Sequence, residues 1–263
     1  GGVCNKLDTL RVELAAHWEL IRGVGDRLKG FVMRRVRVLG LVLVCCVAVS
    51  IGGGERGDEA AAKKWESTIG QFEEWDSKNS YPADAVLFVG SSSIRMWRTR
   101  ECFSDLPVIN RGFGGSQISD VNYFIDRIVL KYRPRVIVFY AGDNDVAAGK
   151  SATRVFEDYR KFVEVVRERL PRTAIIYIGI KPSGSRWALW PVMAEANAMI
   201  RDLCDKDRML LYFDSATPLL GDDGKPNANL LLDDKLHLNS EGYKIWTGAI
   251  RPIIEKALRA VLR

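Results

Sequence analysis

No feature of this sequence limits the fold as tightly as its alternation of short apolar runs with helical spacing. Strand-like runs occupy Ala85–Val89, Pro107–Asn110, Arg135–Tyr140, Ala174–Ile180 and Met209–Phe213. Helical patterns fill about 116–131, 152–169, 187–204 and 240–262. A run that is apolar at every position has no polar face to turn to water, so it is expected to be buried on both sides of a parallel sheet. The alternation therefore predicts an α/β chain: a three-layer α/β/α sandwich around a mostly parallel five-stranded sheet. Right-handed crossovers would bring the carboxyl ends of the strands to one edge, where open α/β sheets place their ligands.

With 263 residues and 47% hydrophobic content, the chain is long enough to bury a full core. Its formal charge of +6 is concentrated near the N-terminus: residues 1–51 carry 8 Lys/Arg against 4 Asp/Glu, and the remainder is nearly balanced at 31 against 29. A balanced body lacks the basic face that a nucleic-acid partner requires. Residues 33–51 start with Met33-Arg34-Arg35-Val36-Arg37, continue as the apolar run Leu39–Ile51, and carry small residues at Ala48 and Ser50. That grammar predicts an export signal cut after Ser50. The run is short of the ~20 apolar residues of a membrane span, although an uncleaved single-span anchor shares the pattern. The expected localisation is exported, periplasmic or secreted, with such an anchor as the only membrane contact. Val44 before Cys45 disfavours a lipoprotein site. Residues 1–32 read as an N-terminal extension, with Met33 as an alternative start. Residues 52–59 read as a linker, and 60–263 as the folded domain.

Within that domain, Ala60–Lys78 carries Trp65, Ile69, Phe72 and Trp75 at spacings of three and four, an amphipathic stripe expected to face a core. Of the five cysteines, Cys4, Cys45, Cys46, Cys102 and Cys204, none forms a CxxC pair or a zinc-like cluster with histidine. Cys102 and Cys204 are left as either a disulfide of an exported protein or two separate buried thiols.

Four strand ends, or the loops after them, carry unusual polar content. The first run ends in Gly90-Ser91-Ser92-Ser93, which reads either as an exposed nucleophile or as a serine-rich cap on the next helix. The second opens into Asn110–Gln117, whose glycines let backbone amides face an anion, although such turns are common. The third gives Gly142-Asp143-Asn144-Asp145, a turn or a polar site. Asn144–Ser151 is one residue short of a P-loop. We reject it because Asn144 replaces the first glycine and Asp143 and Asp145 would repel phosphate. The fourth is Asp234-Lys235-Leu236-His237. His237 is one of two histidines, and His17 precedes the export signal. An acid three residues before a histidine can orient its imidazole, and together with a serine hydroxyl these are the parts of an activated nucleophile.

These blocks in this order resemble the SGNH (GDSL) hydrolase family: Gly-x-Ser, then Asn-x-Gly-x-x-Gly, Gly-x-Asn-Asp and Asp-x-x-His. The resemblance spans about 83–250, and Gly112–Gln117, Lys181–Trp190 and His237–Tyr243 look like its exported bacterial branch. It implies a flavodoxin-like strand order and a serine esterase without metal or organic cofactor. It further implies Ser92 as nucleophile, His237 as base and Asp234 as its orienter. The oxyanion hole would be the amides of Ser92 and Gly115 and the side chain of Asn144. The family's usual Gly-Asp-Ser reads Gly-Ser-Ser here, which keeps Ser91 and Ser93 as fallback nucleophiles. No Gly-x-Ser-x-Gly elbow is present, against an α/β-hydrolase.

The expected substrate is a short-acyl ester, preferably acetyl, on a small molecule or a carbohydrate. Trp187 and Trp190 could wall such a site or be core residues of the following helix. The alternatives are a lipase or lysophospholipase, and a glycan-binding module that has the fold without the catalysis.

Overall fold

Hydrogen bonding joins the five apolar runs into one sheet in the order β2-β1-β3-β4-β5, with every neighbouring pair parallel. The structure is a computed structural model that describes residues 62–261. The expectations for 1–32, 33–51 and 52–59 fall outside those residues. Along the chain the elements are α1 (Glu66–Lys78), β1 (Val86–Gly90), α2 (Ser92–Arg95), α3 (Thr99–Cys102), β2 (Val108–Gly112), α4 (Ile118–Tyr123), α5 (Ile125–Ile128), β3 (Val136–Tyr140), α6 (Asp143–Ala147), α7 (Ala152–Arg169), β4 (Ala174–Ile178), α8 (Trp190–Cys204), β5 (Leu210–Phe213) and α9 (Ser240–Val261).

Side chains alternate across each strand, so one sheet feeds two cores. Leu87, Val89, Ile137, Phe139, Ile175 and Tyr177 face a layer built from α1, α4, α5, α7 and α8. Val86, Phe88, Val138, Tyr140 and Ile176 face Ile94, Trp97 and Phe103 and the Trp246–Ile250–Ile254 stripe of α9. Strands apolar at every position are thus covered on both sides, as a parallel sheet requires. The order reverses between β1 and β3, and such reversals open a crevice at the carboxyl edge.

Four expectations are corrected. The helix expected over about 116–131 breaks at Phe124 into α4 and α5, then tightens into a 3-10 turn at Leu130–Tyr132. Phe124 is buried at φ −96° and ψ 12°, outside the α-helical region, so one helix ends there and the next restarts at Ile125. Strand β2 continues past Asn110 because Arg111 and Gly112 pair with Val89 and Gly90. Strand β4 stops at Ile178, short of Ile180, whose backbone N–H and carbonyl are both bound by the Asn197 side chain, at 2.7 and 2.9 Å. Trp75 does not join the buried stripe and is 48% exposed. From Ile69 through Phe72 to Trp75 each three-residue step falls about 60° short of a full turn. Trp75 has therefore rotated off the core, and the Arg111 guanidinium lies 5.5 Å from its ring centroid.

Cys102 and Cys204 are free thiols, one packed against each core, with the sheet between them. Of the two readings left open for this pair, the structure takes separate thiols. Burial pushes the Cys204 thiol up to about 12. Among the described residues no helix is long and apolar enough to cross a membrane.

Candidate active site

The site begins where β1 runs out. Gly90 has φ +135°, and a Cβ there would sit 1.8 Å from the carbonyl oxygen of Tyr140 on β3, so only glycine fits. The Ser91 amide then donates to that same carbonyl at 2.9 Å, and the chain turns into α2. Asn110 on β2 holds this short helix from the side: its Nδ2 donates to the Ile94 carbonyl at 2.8 Å while its Oδ1 accepts from the Gly112 amide at 2.9 Å. The Tyr243 hydroxyl of α9 donates to the Ser93 carbonyl at 2.8 Å. Of the three adjacent hydroxyls, only that of Ser92 meets the histidine, with Oγ 2.9 Å from His237 Nε2. The hydroxyls of Ser91 and Ser93 are buried without a partner among the described residues.

His237 is carried by a tight loop pinched between Leu231 and Leu238, with the Leu232 amide donating to the His237 carbonyl at 2.8 Å. Asp234 shapes that loop and touches the ring. Its Oδ1 accepts from the amides of Leu236 and His237, at 2.8 and 2.9 Å, and its Oδ2 lies 2.6 Å from His237 Nδ1. Burial works to raise the Asp234 carboxyl, but the imidazole contact and the two amides outweigh it and hold the group down at about 2. From beneath, Lys181, itself 1% exposed, donates from Nζ to the Leu236 carbonyl at 2.5 Å. Burial lowers the pKa of this ammonium, against the attraction of Asp143 and Asp234.

The other half of the site comes from the ends of β2 and β3, which flank Gly90 in the sheet. Gly115 has φ +77°, a conformation that favours glycine and directs the loop into α4. Neither its amide nor that of Ser92 donates to an acceptor among the described residues. The Asn144 side chain donates from Nδ2 to the Ser116 carbonyl at 3.0 Å, which ties it to the residue after Gly115. Beneath, the buried Asp145 accepts from the Ile118 amide and from Lys150, and Lys150 also reaches Asp158 at 2.8 Å. Burial raises Asp145 to about 6 in spite of Lys150. The lysine of the apparent P-loop is thus committed to carboxylates.

Trp187 and Trp190 stack with centroids 5.9 Å apart and planes 11° from parallel. Both are half-buried, and Trp190 packs against the core. Their neighbour Arg186 donates to Asn144 Oδ1 at 3.0 Å. Sequence reasoning took Asn110, Lys181 and Arg186 only as parts of longer motifs and gave none of them a role. The available signal was a polar or charged side chain at the end of an apolar strand or in the loop that follows. Among the described residues no cluster of His, Cys, Asp or Glu is suited to hold a metal ion.

Residues 92–245 match the GDSL-like lipase/acylhydrolase family, more than half of the chain and a stretch that encloses both halves of the site. The chain belongs to that family. As a GDSL-like acylhydrolase it is a hydrolase of ester bonds. It is 26% identical over 189 residues to human platelet-activating factor acetylhydrolase IB subunit alpha1, covering 70% of this chain and 80% of that protein. The human alpha2 subunit is 28% identical over 186 residues, covering 68% and 79%. A GDSL-like lipase from Bacteroides thetaiotaomicron superposes with a TM-score of 0.60 at 20% identity, over 76% of this chain and 99% of that one. These likenesses agree with the three-layer fold.

Proposed function

We propose that this GDSL-like acylhydrolase is a serine esterase that cleaves short-acyl esters, acetyl above all, through an acyl-enzyme. The observation that carries the reading is the continuous hydrogen-bonded chain Ser92–His237–Asp234. A serine hydroxyl is a poor nucleophile near neutral pH, so His237 Nε2 takes its proton as Oγ attacks the ester carbonyl. Asp234 keeps the other ring proton on Nδ1 and stabilises the imidazolium. The amides of Ser92 and Gly115 and the Asn144 carboxamide receive the oxyanion. His237 then returns its proton to the leaving alcohol, and water repeats the cycle on the acyl-enzyme.

The acetyl preference is supported by the acetylhydrolase names of the human relatives. The stacked Trp187 and Trp190, beside a residue that touches Asn144, suit a sugar or similar alcohol, because aromatic faces pack against the apolar face of a ring. Residues 33–51 support an exported enzyme by their sequence alone. A second reading, a lipase or lysophospholipase, is favoured by one feature. A largely apolar cavity of about 470 Å³, lined by Met96, Trp97, Leu232, Leu238 and Tyr243 and rimmed by Arg98, Glu101 and Lys244, adjoins the Asp234–His237 loop and has room for a longer chain.

The test is hydrolysis of p-nitrophenyl esters from acetate to decanoate by the full chain. Activity that is highest on acetate and lost in Ser92→Ala is expected. An optimum at eight or more carbons would favour the lipase reading. An inert wild type that still binds acetylated glycans would replace the enzyme with a binding module, and full activity in Ser92→Ala would remove Ser92 from the scheme.

A further inference from the structure

A carboxamide helps an oxyanion only if its nitrogen faces it. Oxygen and nitrogen of an asparagine side chain have nearly the same shape, and the wrong orientation would aim a lone pair at developing negative charge. Asn144 therefore needs something that distinguishes its two ends. The Ser116 carbonyl accepts one hydrogen of Nδ2 at 3.0 Å, and a carbonyl cannot donate. On the other end, Arg186 donates to Oδ1 at 3.0 Å, and a guanidinium cannot accept. The two contacts demand the same orientation and leave the second Nδ2 hydrogen available.

Arg186 is itself constrained. Its Nη1 lies 3.1 Å from Asp143 Oδ2, an ion-pair contact at an angle too poor for a hydrogen bond. The other Asp143 oxygen accepts from the Asn144 amide at 3.0 Å. Asp143, Asn144 and Arg186 thus close a ring that joins α6 to the loop after β4. Asp143 is nearly buried, at 5% side-chain exposure, and Arg186 is 19% exposed, so water competes little with these contacts. Without Arg186, Oδ1 loses its charged donor, and the single bond to Ser116 leaves the amide plane free to swing about its side-chain torsion.

We infer that Arg186 is a positioning residue that holds the Asn144 carboxamide with its N–H side towards the oxyanion formed at Ser92. This rests on the esterase reading of the site. Arg186 touches neither Ser92 nor His237 and acts through Asn144.

The test is a double-mutant cycle on the full chain with p-nitrophenyl acetate. Arg186→Met should lower kcat roughly 10- to 100-fold with KM within about twofold, the signature of an interaction made only in the transition state. In an Asn144→Ala background the same change should alter kcat by less than about threefold, since the group it positions is gone. Arg186→Lys should recover part of the rate, because an ammonium can still donate to Oδ1. It also carries the test if the methionine variant fails to fold. An equal loss in both backgrounds, a loss confined to KM, or no loss overturns the proposal. If the wild type hydrolyses no ester, the esterase reading fails, and a second readout still decides the role of Arg186. In protein labelled with 15N-asparagine, the Asn144 side-chain resonance, assigned by its loss in Asn144→Ala, should shift or broaden in Arg186→Met. An unchanged resonance overturns the proposal.

Discussion

Ser92 differs from Ser91 and Ser93 in what its hydroxyl can reach, not in its chemistry. Ser91 caps α2 and Ser92 and Ser93 open it, where successive side chains point about 100° apart, so one of three adjacent hydroxyls meets His237 and the flanking two are buried. Ser92→Ala is expected to cut kcat by about 10⁴-fold or more, while Ser91→Ala and Ser93→Ala keep activity within about tenfold. Steady-state kinetics on p-nitrophenyl acetate read all three. Asn144→Ala should cost about 10²- to 10³-fold in kcat with little change in KM, as expected for one oxyanion donor. The sign of the pH dependence follows from Asp234. Its pKa is depressed to about 2, so its carboxylate stays ionised, and keeps orienting the ring, until pH approaches that value. The acid limb of log kcat/KM against pH is expected to have unit slope. A steeper limb would mean that Asp234 titrates in the same range. Asp234 and His237 were legible as a pair because they lie three residues apart in one turn. Among the serines only the family resemblance singled out Ser92, because the contact that distinguishes it is with a partner 145 residues away.

At the scale of elements, α1 is attached to the sheet by charge as well as by packing. Asp76 near its C-terminal end accepts from Arg111 on β2 and from Tyr132, and pairs with Lys131; the side chains of Asp76 and Arg111 are each 8% exposed. Burial raises the Asp76 carboxyl, but these donors prevail and its pKa lies below the usual carboxylate value. A depressed acid stabilises the fold above its unfolded pKa and loses that contribution as pH falls through the folded value. Asp76→Asn is expected to cost about 3 kcal/mol near neutral pH, because it strands the Arg111 cation. The gap to wild type should close as pH falls below about 4, as urea titrations at several pH values would show. Helix α1 was legible from its apolar spacing, yet the outward turn of Trp75 and the buried Arg111 beside it were not. The first needs the drift of a three-residue step followed over two turns. The second needs the knowledge that Asp76 and Lys131 converge on one strand end.

Across the whole molecule, stability rests on two apolar layers sharing one sheet. Phe162 of α7 is fully buried with its ring 4.6 Å from that of Phe139, so Phe162→Ala is expected to cost about 3–5 kcal/mol in urea unfolding. Peptide mapping after air oxidation of the folded protein should find no Cys102–Cys204 disulfide, because the sheet separates the two thiols. The alternation of apolar runs and helical spacing was enough to determine the parallel five-stranded sheet, and the polar tails of those runs marked the edge that holds the site. Both are written in local patterns, since burial on two faces and a glycine turn leave traces within a few residues. Only the tertiary structure decided that the Ser92 hydroxyl meets His237, that Arg186 grips Asn144, and that Lys181 reaches under the His237 loop. Each of these contacts joins segments tens of residues apart or more, and which segments become neighbours depends on the strand order and the side of the sheet each crossover takes.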